Sequence, residues 1–167
     1  ACIVLLVGTL KSVMEINKMV KCSSKTNNKY IKLLLEKYND DYRIRRKIDV
    51  YECPVRVTPF TVGVFRPKIF IYAKENERDL ELSLKHELIH IKRRDVLFKQ
   101  LATLAKYIHW FNPLVYFLRK RIEEVCELAC DEMVVENADV QVRKDYAELI
   151  LDNSRGSKEI KVAYGLS

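Results

Sequence analysis

Residues 82–95 read LSLKHELIHIKRRD, with His86 and His90 four positions apart and Glu87 between them. On an α-helix, positions i and i+4 lie on one face, so two imidazoles can reach a single ion. Glu87 falls on the adjacent edge, close enough to reach a water at that ion without being a ligand. This is the H-E-x-x-H arrangement of zinc peptidases. Two neutral ring nitrogens suit zinc, which brings the pKa of its water to about 7, and a carboxylate beside it can take the proton and return it to the leaving amine. The spacing therefore predicts His86 and His90 as metal ligands, zinc as the cofactor and Glu87 as the general base.

The pattern has this meaning only on a helix. Residues 77–94 predict one, with Asn76 or Asp79 at its N-cap and a stripe of Leu80, Leu84, Leu88 and Ile91 facing a core. The plainer reading is two surface histidines on a Lys/Arg-rich helix. Composition weighs against it, because the chain has three histidines and two of them stand in register around a glutamate.

A catalytic zinc needs a third protein ligand and keeps one position open. His109 is too far along the chain to act at short spacing, so the ligand is expected from another helix. RIEEVCELACDEMVV, residues 121–135, offers Glu123, Glu127 and Asp131 on one stripe. One acid on the metal and one behind a histidine ring would use two of them. Cys126 and Cys130 could ligate in principle, but they read better as small buried side chains. His109 is expected to pack or cap near the Asn112-Pro113 break. An oxyanion donor is the alternative use of His109 and of Tyr146.

The remaining chain predicts an α+β fold. Residues 27–38 have helical spacing, stopped by NDD at 39–41. Residues 47–73, KIDVYECPVRVTPFTVGVFRPKIFIYA, read as three or four short strands. Segment 60–72 should flank the cleft, because a peptide is readily held as an added strand. Asp95 can cap a helix over 96–110. Asn112 and Pro113 end that helix and start another, which runs to about Glu136, and 140–153 make a fourth.

Net charge is +7, which favours anionic partners without choosing among them. Five cysteines without a C-x-x-C argue against a zinc ribbon and give poor support to a disulfide framework. ACIVLLVGTL at the start is too short to span a bilayer, which takes roughly 20 apolar residues. Basic residues from Lys11 to Lys32 follow it, so residues 1–25 read as the end of a membrane helix with a basic cytoplasmic flank. A buried N-terminal helix is the other reading. Segment 96–118 suits either a re-entrant interfacial hairpin or a core helix. Residues 26–153 form the expected catalytic domain, and 154–167 an exposed tail or a link to a further region.

HELIHIKRRD, then WFNP at 110–113, then ELACDE at 127–132, preceded by PFTVGVFRPKIFIY, together resemble the membrane-embedded zinc metallopeptidases of the beta-lactam sensor-transducer (antirepressor) family. The resemblance spans roughly residues 54–165. It implies a zincin-like (gluzincin) fold, with a small N-terminal sheet of short strands and a mainly helical zinc-binding part. It also implies Glu127 as the third zinc ligand and Asp131 as the acid behind a histidine. By the same resemblance the domain faces the cytoplasm at the bacterial cell membrane. It cleaves itself, or a DNA-binding repressor, in an antibiotic response, and has no direct contact with nucleic acid. Self-cleavage is then expected in or just beyond the tail. Tyr72-Ala73 stand where the family often has proline, which leaves the chemistry untouched. A membrane quality-control peptidase with the same site is the alternative enzyme. A non-enzymatic basic module binding nucleic acid or membrane is the alternative of another class.

Overall fold

The computed structural model describes Met14 and residues 20–163, with residues 155–163 described by backbone alone. The expected membrane-helix end and most of its basic flank lie outside the described residues. Ser24–Lys25 form a short strand, β1. Helix α1 (Lys29–Asp41) follows, capped by the Asn28 side chain, which accepts from the Tyr30 N–H. The helix takes in the NDD expected to stop it and ends at Asp41, with Tyr42 as its C-cap and Arg43 beyond it left-handed at φ 54°.

Strands β2 (Asp49–Cys53), β3 (Phe60–Val62) and β4 (Lys68–Tyr72) complete a four-stranded sheet in the order β1-β2-β4-β3. β2 and β4 run parallel, and the two outer strands pair antiparallel. The β3–β4 turn depends on Gly63. Its φ is +96°, and a Cβ there would come within 2.8 Å of the Arg66 carbonyl oxygen. That tight return leaves β3 as an edge strand.

The remainder is helical: α2 (Glu77–Arg93), α3 (Asp95–Ile108), α4 (Pro113–Val135) and α5 (Val140–Ala163). Asn76 caps α2 by accepting from the Asp79 N–H, and Asn112 with Pro113 starts α4, both as the sequence predicts. The fold is thus α+β, with a small mixed sheet and a mainly helical remainder. α5 runs on to Ala163, where the sequence suggested a tail from 154. Once a helix is nucleated, each further residue costs little, and Arg155, Lys158 and Glu159 are good helix formers.

α2 is held on two sides. Leu80, Leu84, Leu88 and Ile91 pack with Ile31 and Leu34 of α1 and with Val50, Ile69 and Ile71 of the sheet. Leu82 and Ile89 pack with Cys130 and Val134 of α4 and with Tyr146 and Leu149 of α5. A helix gripped on both sides presents its third face, with Ser83, His86, Glu87 and His90, in one rigid register.

The α3–α4 hairpin differs. Phe98, Leu101, Leu104, Ile108, Phe111, Leu114, Phe117 and Leu128 are all exposed on it. Among the described residues no helix is long and apolar enough to cross a membrane.

Candidate metal centre

The third face of α2 forms one wall of a cleft of about 480 Å³, closed by the segment leading into β3, by α3, and by α4 and α5. His86 and His90 point into it with their Nε2 atoms 3.0 Å apart and their rings edge-on. Glu127 comes from α4, and its Oε2 is 3.6 Å from each Nε2. One donor atom from each of the three residues lies within 4.8 Å of the others. The Asn112-Pro113 turn is what returns α4 to α2 and brings the glutamate there.

The hydrogen bonds behind the rings decide what the Nε2 atoms carry. His90 Nδ1 is 2.8 Å from Asp95 Oδ2, and Asp95 is 1% exposed. A carboxylate only accepts, so Nδ1 holds the hydrogen and Nε2 keeps its lone pair. His86 Nδ1 is 2.7 Å from the Tyr146 hydroxyl, which itself donates to Asp131 Oδ1 at 2.7 Å. With its only hydrogen committed to Asp131, the hydroxyl accepts from His86 Nδ1, and again Nε2 keeps its lone pair. Two lone pairs therefore face each other at 3.0 Å beside a carboxylate. That arrangement is repulsive unless a cation or a proton sits between them. The donor set fits a divalent metal with two imidazoles and one carboxylate.

Electrostatics point the same way. Burial opposes charge on His86, yet the hydrogen bonds its protonated ring donates to Asp131 and Glu127 and the charge of Glu87 outweigh it, raising its pKa to about 9. With a proton rather than a metal at the Nε2 atoms, hydrogen bonds donated by His86 and His90 hold the Glu127 carboxyl well below the usual range, against its partial burial. The site demands positive charge. The Lys99 ammonium donates to Glu127 Oε1 at 2.7 Å and leaves Oε2 facing the histidines.

Glu87, also buried, accepts from Thr61 Oγ1 of β3 at 2.5 Å through Oε2. Phe60 and Thr61 line the cleft, so of the segment 60–72 expected beside it only the first two residues do. Glu123 is turned away and pairs with Arg119 at 2.9 Å. Asp131 lies 3.4 Å from His86 Nδ1, so its support of that ring passes mainly through Tyr146. Cys126 and Cys130 are buried. Cys130 Sγ touches His90 Nδ1 at 3.1 Å and Asp95 Oδ2 at 3.3 Å, behind the ring rather than at the donor face. His109 is exposed at the end of α3, beside Phe111 and outside the cleft.

Two supporting residues escape the sequence reading, and two others have a role different from the one it suggests. Thr61 and Lys99 lie far from the motif in sequence and carry no pattern. Tyr146 was considered for an oxyanion, but its hydroxyl is committed to His86 and Asp131. Asp95 looked like the cap of α3. That helix has no side-chain cap, because the αL turn at Arg94 (φ 61°) directs the Asp95 carboxylate back under His90.

The whole chain, residues 1–167, matches the family described as BlaR1 peptidase M56. The chain belongs to this family. It is a BlaR1-type sensor-transducer peptidase domain, and M56 peptidases are metallopeptidases. The chain is 33% identical over 151 residues to the Regulatory protein BlaR1 of Bacillus licheniformis, covering 89% of the chain and 25% of that relative. It is 31% identical over 97 residues to the Methicillin resistance mecR1 protein of Staphylococcus aureus, covering 56% and 17%. The Regulatory protein BlaR1 of Staphylococcus aureus is 26% identical over 119 residues, covering 70% and 20%. The chain thus spans a quarter or less of the length of these relatives.

Proposed function

We propose that this M56 chain is the zinc endopeptidase domain of a bacterial membrane signal transducer, with His86, His90 and Glu127 as zinc ligands, Glu87 as the general base and Asp131 supporting His86. The observation that carries this reading is the pair of opposed Nε2 lone pairs beside Glu127, with the buried Glu87 carboxylate one residue along. A gluzincin fold is the architecture this ligand set favours.

When bound, zinc would supply the Lewis acidity that polarises a peptide carbonyl and makes a neighbouring water acidic at neutral pH. The protein does the rest. Glu87 accepts the water proton while Thr61 restrains its Oε2. The water oxygen bonds to the carbonyl carbon, the C–N bond breaks, and the same proton passes from Glu87 to the departing nitrogen. Substrate alignment falls to β3, an edge strand whose Thr61 touches Glu87, so an extended peptide paired along it would cross the site.

The substrate is this protein itself or a DNA-binding repressor, in an antibiotic response. A quality-control peptidase would use the same groups. The basic binding-module reading accounts for the +7 charge and for none of the convergent side chains. Residues 26–153 form the catalytic domain, residues 1–25 its membrane-proximal flank, and residues from 154 onward link to a further region. The domain faces the cytoplasm, with the exposed apolar face of α3 and α4 against the membrane. Metal analysis together with peptide cleavage tests the core of the proposal. One zinc per chain with cleavage that EDTA abolishes supports it, and a protein that binds no zinc under those conditions refutes it.

A further inference from the structure

Each residue of the proposed ligand set has a partner on its far side. Asp95 takes the hydrogen of His90 Nδ1, Tyr146 takes that of His86 Nδ1, and the Lys99 ammonium holds Glu127 Oε1 at 2.7 Å. The first two partners fix imidazole tautomers. The third has a different consequence, because a carboxylate can meet a metal through one oxygen or through both.

Lys99 belongs to α3, one turn beyond Asp95, so the two side chains leave the same face of that helix. α3 thereby serves two ligands, a ring on α2 and a carboxylate on α4. Among the described residues that line the cleft, Lys99 is the one lysine or arginine, set against the carboxyl groups of Glu87, Asp95, Glu127 and Asp131. Burial works against its charge, yet the hydrogen bond to Glu127 and the charges of Glu127 and Asp95 raise its pKa, so it is an ammonium at neutral pH. Stability alone does not account for the pair. Its side chains are 31% and 51% exposed, and ion pairs so accessible to water contribute little to folding.

The two oxygens of Glu127 have separate surroundings. Oε1 is taken by the ammonium, and Oε2 is 3.6 Å from the Nε2 atoms of both histidines. We infer that Lys99 is a positioning residue that makes Glu127 a one-oxygen ligand and so keeps the remaining position at the metal open for water beside Glu87. This rests on the reading of His86, His90 and Glu127 as metal ligands. A catalytic zinc works with three protein ligands and one open position. Were Oε1 released, it would be free to swing onto the metal and fill the place the water needs. Lysine suits the task, since a protonated amine donates strongly to a carboxylate and has no lone pair with which to bind the metal itself.

The test uses the full-length protein with cobalt(II) in place of zinc, because the visible absorption of cobalt weakens sharply when a further ligand is added to a tetrahedral site. Lys99→Met keeps the apolar stem and removes the donor. It should still bind one metal ion per chain, with cobalt absorption clearly weaker than in the wild type. In the zinc form its kcat should fall by about 10- to 100-fold, the usual effect of losing a partner behind a ligand. Lys99→Arg should restore the absorption and most of the rate, because a guanidinium donates to the same oxygen. A merely structural role would lower the urea midpoint of unfolding without moving the cobalt spectrum. Should Lys99→Met not fold, Lys99→Gln, with a weaker neutral donor, should show the same loss of absorption in part. Equal cobalt absorption in the wild type and in a folded Lys99→Met or Lys99→Gln overturns the role of Lys99 alone. A wild type that binds neither cobalt nor zinc overturns the ligand reading, and this inference with it.

Discussion

Asp95 Oδ2 sits 2.8 Å from His90 Nδ1, brought there by the one left-handed residue, Arg94, that separates α2 from α3. Arg93 Nε also reaches the same oxygen, at 3.2 Å. The acid thus fixes the ring, sets its tautomer and neutralises a guanidinium, all in a nearly solvent-free place. Asp95→Ala should lower zinc affinity by about 10- to 100-fold, the usual effect of removing such a support. It should also lower stability by about 1–3 kcal/mol, because the His90 N–H loses its buried acceptor. Asp95→Asn should recover part of both, since an amide oxygen still accepts from Nδ1. Zinc titration with a competing chelator and urea unfolding would measure the two effects. An Asp95→Ala protein with unaltered zinc affinity would show that the bond is incidental.

The ligand assignment makes a graded prediction along one stripe of α4. Glu127→Ala should lose most zinc binding. Asp131→Ala should lose about 10- to 100-fold in affinity or activity. Glu123→Ala should change neither, because its carboxylate is spent on Arg119. Tyr146→Phe should resemble Asp131→Ala, as the hydroxyl is the link between that acid and His86. Metal content of the four purified variants decides the order. Equal losses for Glu123 and Glu127 would overturn the assignment.

Parts of this site were legible in the sequence because they repeat at helical spacing. The stripe of Leu80, Leu84, Leu88 and Ile91 and the pair His86 and His90 share one period, so helix, core face and metal face were readable together. Residues 121–135 showed which acids could share a face, though not which one would reach the metal. Asp95 was not legible as a support for His90. Its role depends on one αL residue, and Arg94 is not a residue type that announces a left-handed turn. Thr61 and Lys99 reach the site through tertiary packing alone. The continuation of α5 past Ser154 was missed because helix propagation does not require an apolar face.

Glu87→Gln should keep zinc and lose peptide cleavage. The amide has the shape of the carboxylate, and Glu87 is not among the proposed ligands, but the amide cannot accept a proton at neutral pH. Thr61→Val should give a smaller loss, confined to kcat, since it removes a restraint on the base rather than the base itself. Thr61→Ser should restore most of the rate. Zinc content and steady-state rates on one preparation would separate these effects. Full activity in zinc-loaded Glu87→Gln would eliminate the general-base role.

The α3–α4 hairpin yields a prediction about location. Phe111, Leu114 and Phe117 are exposed near its tip, Trp110 is 44% exposed beside them, and Lys106, Arg119, Lys120 and Arg121 stand close by in sequence. So much exposed apolar surface is costly in water, and its basic neighbours suit an anionic headgroup layer. Trp110 is the single tryptophan, so its emission reports this region alone. Adding vesicles that contain anionic lipid should shift that emission to the blue, and high salt should weaken the shift without abolishing it, because screening removes only the ionic part. Phe111→Asp with Phe117→Asp should prevent the shift while leaving zinc content intact, since neither residue approaches the metal cluster. An unchanged spectrum for the wild type with every vesicle composition would instead mean that this face is covered by protein rather than lipid.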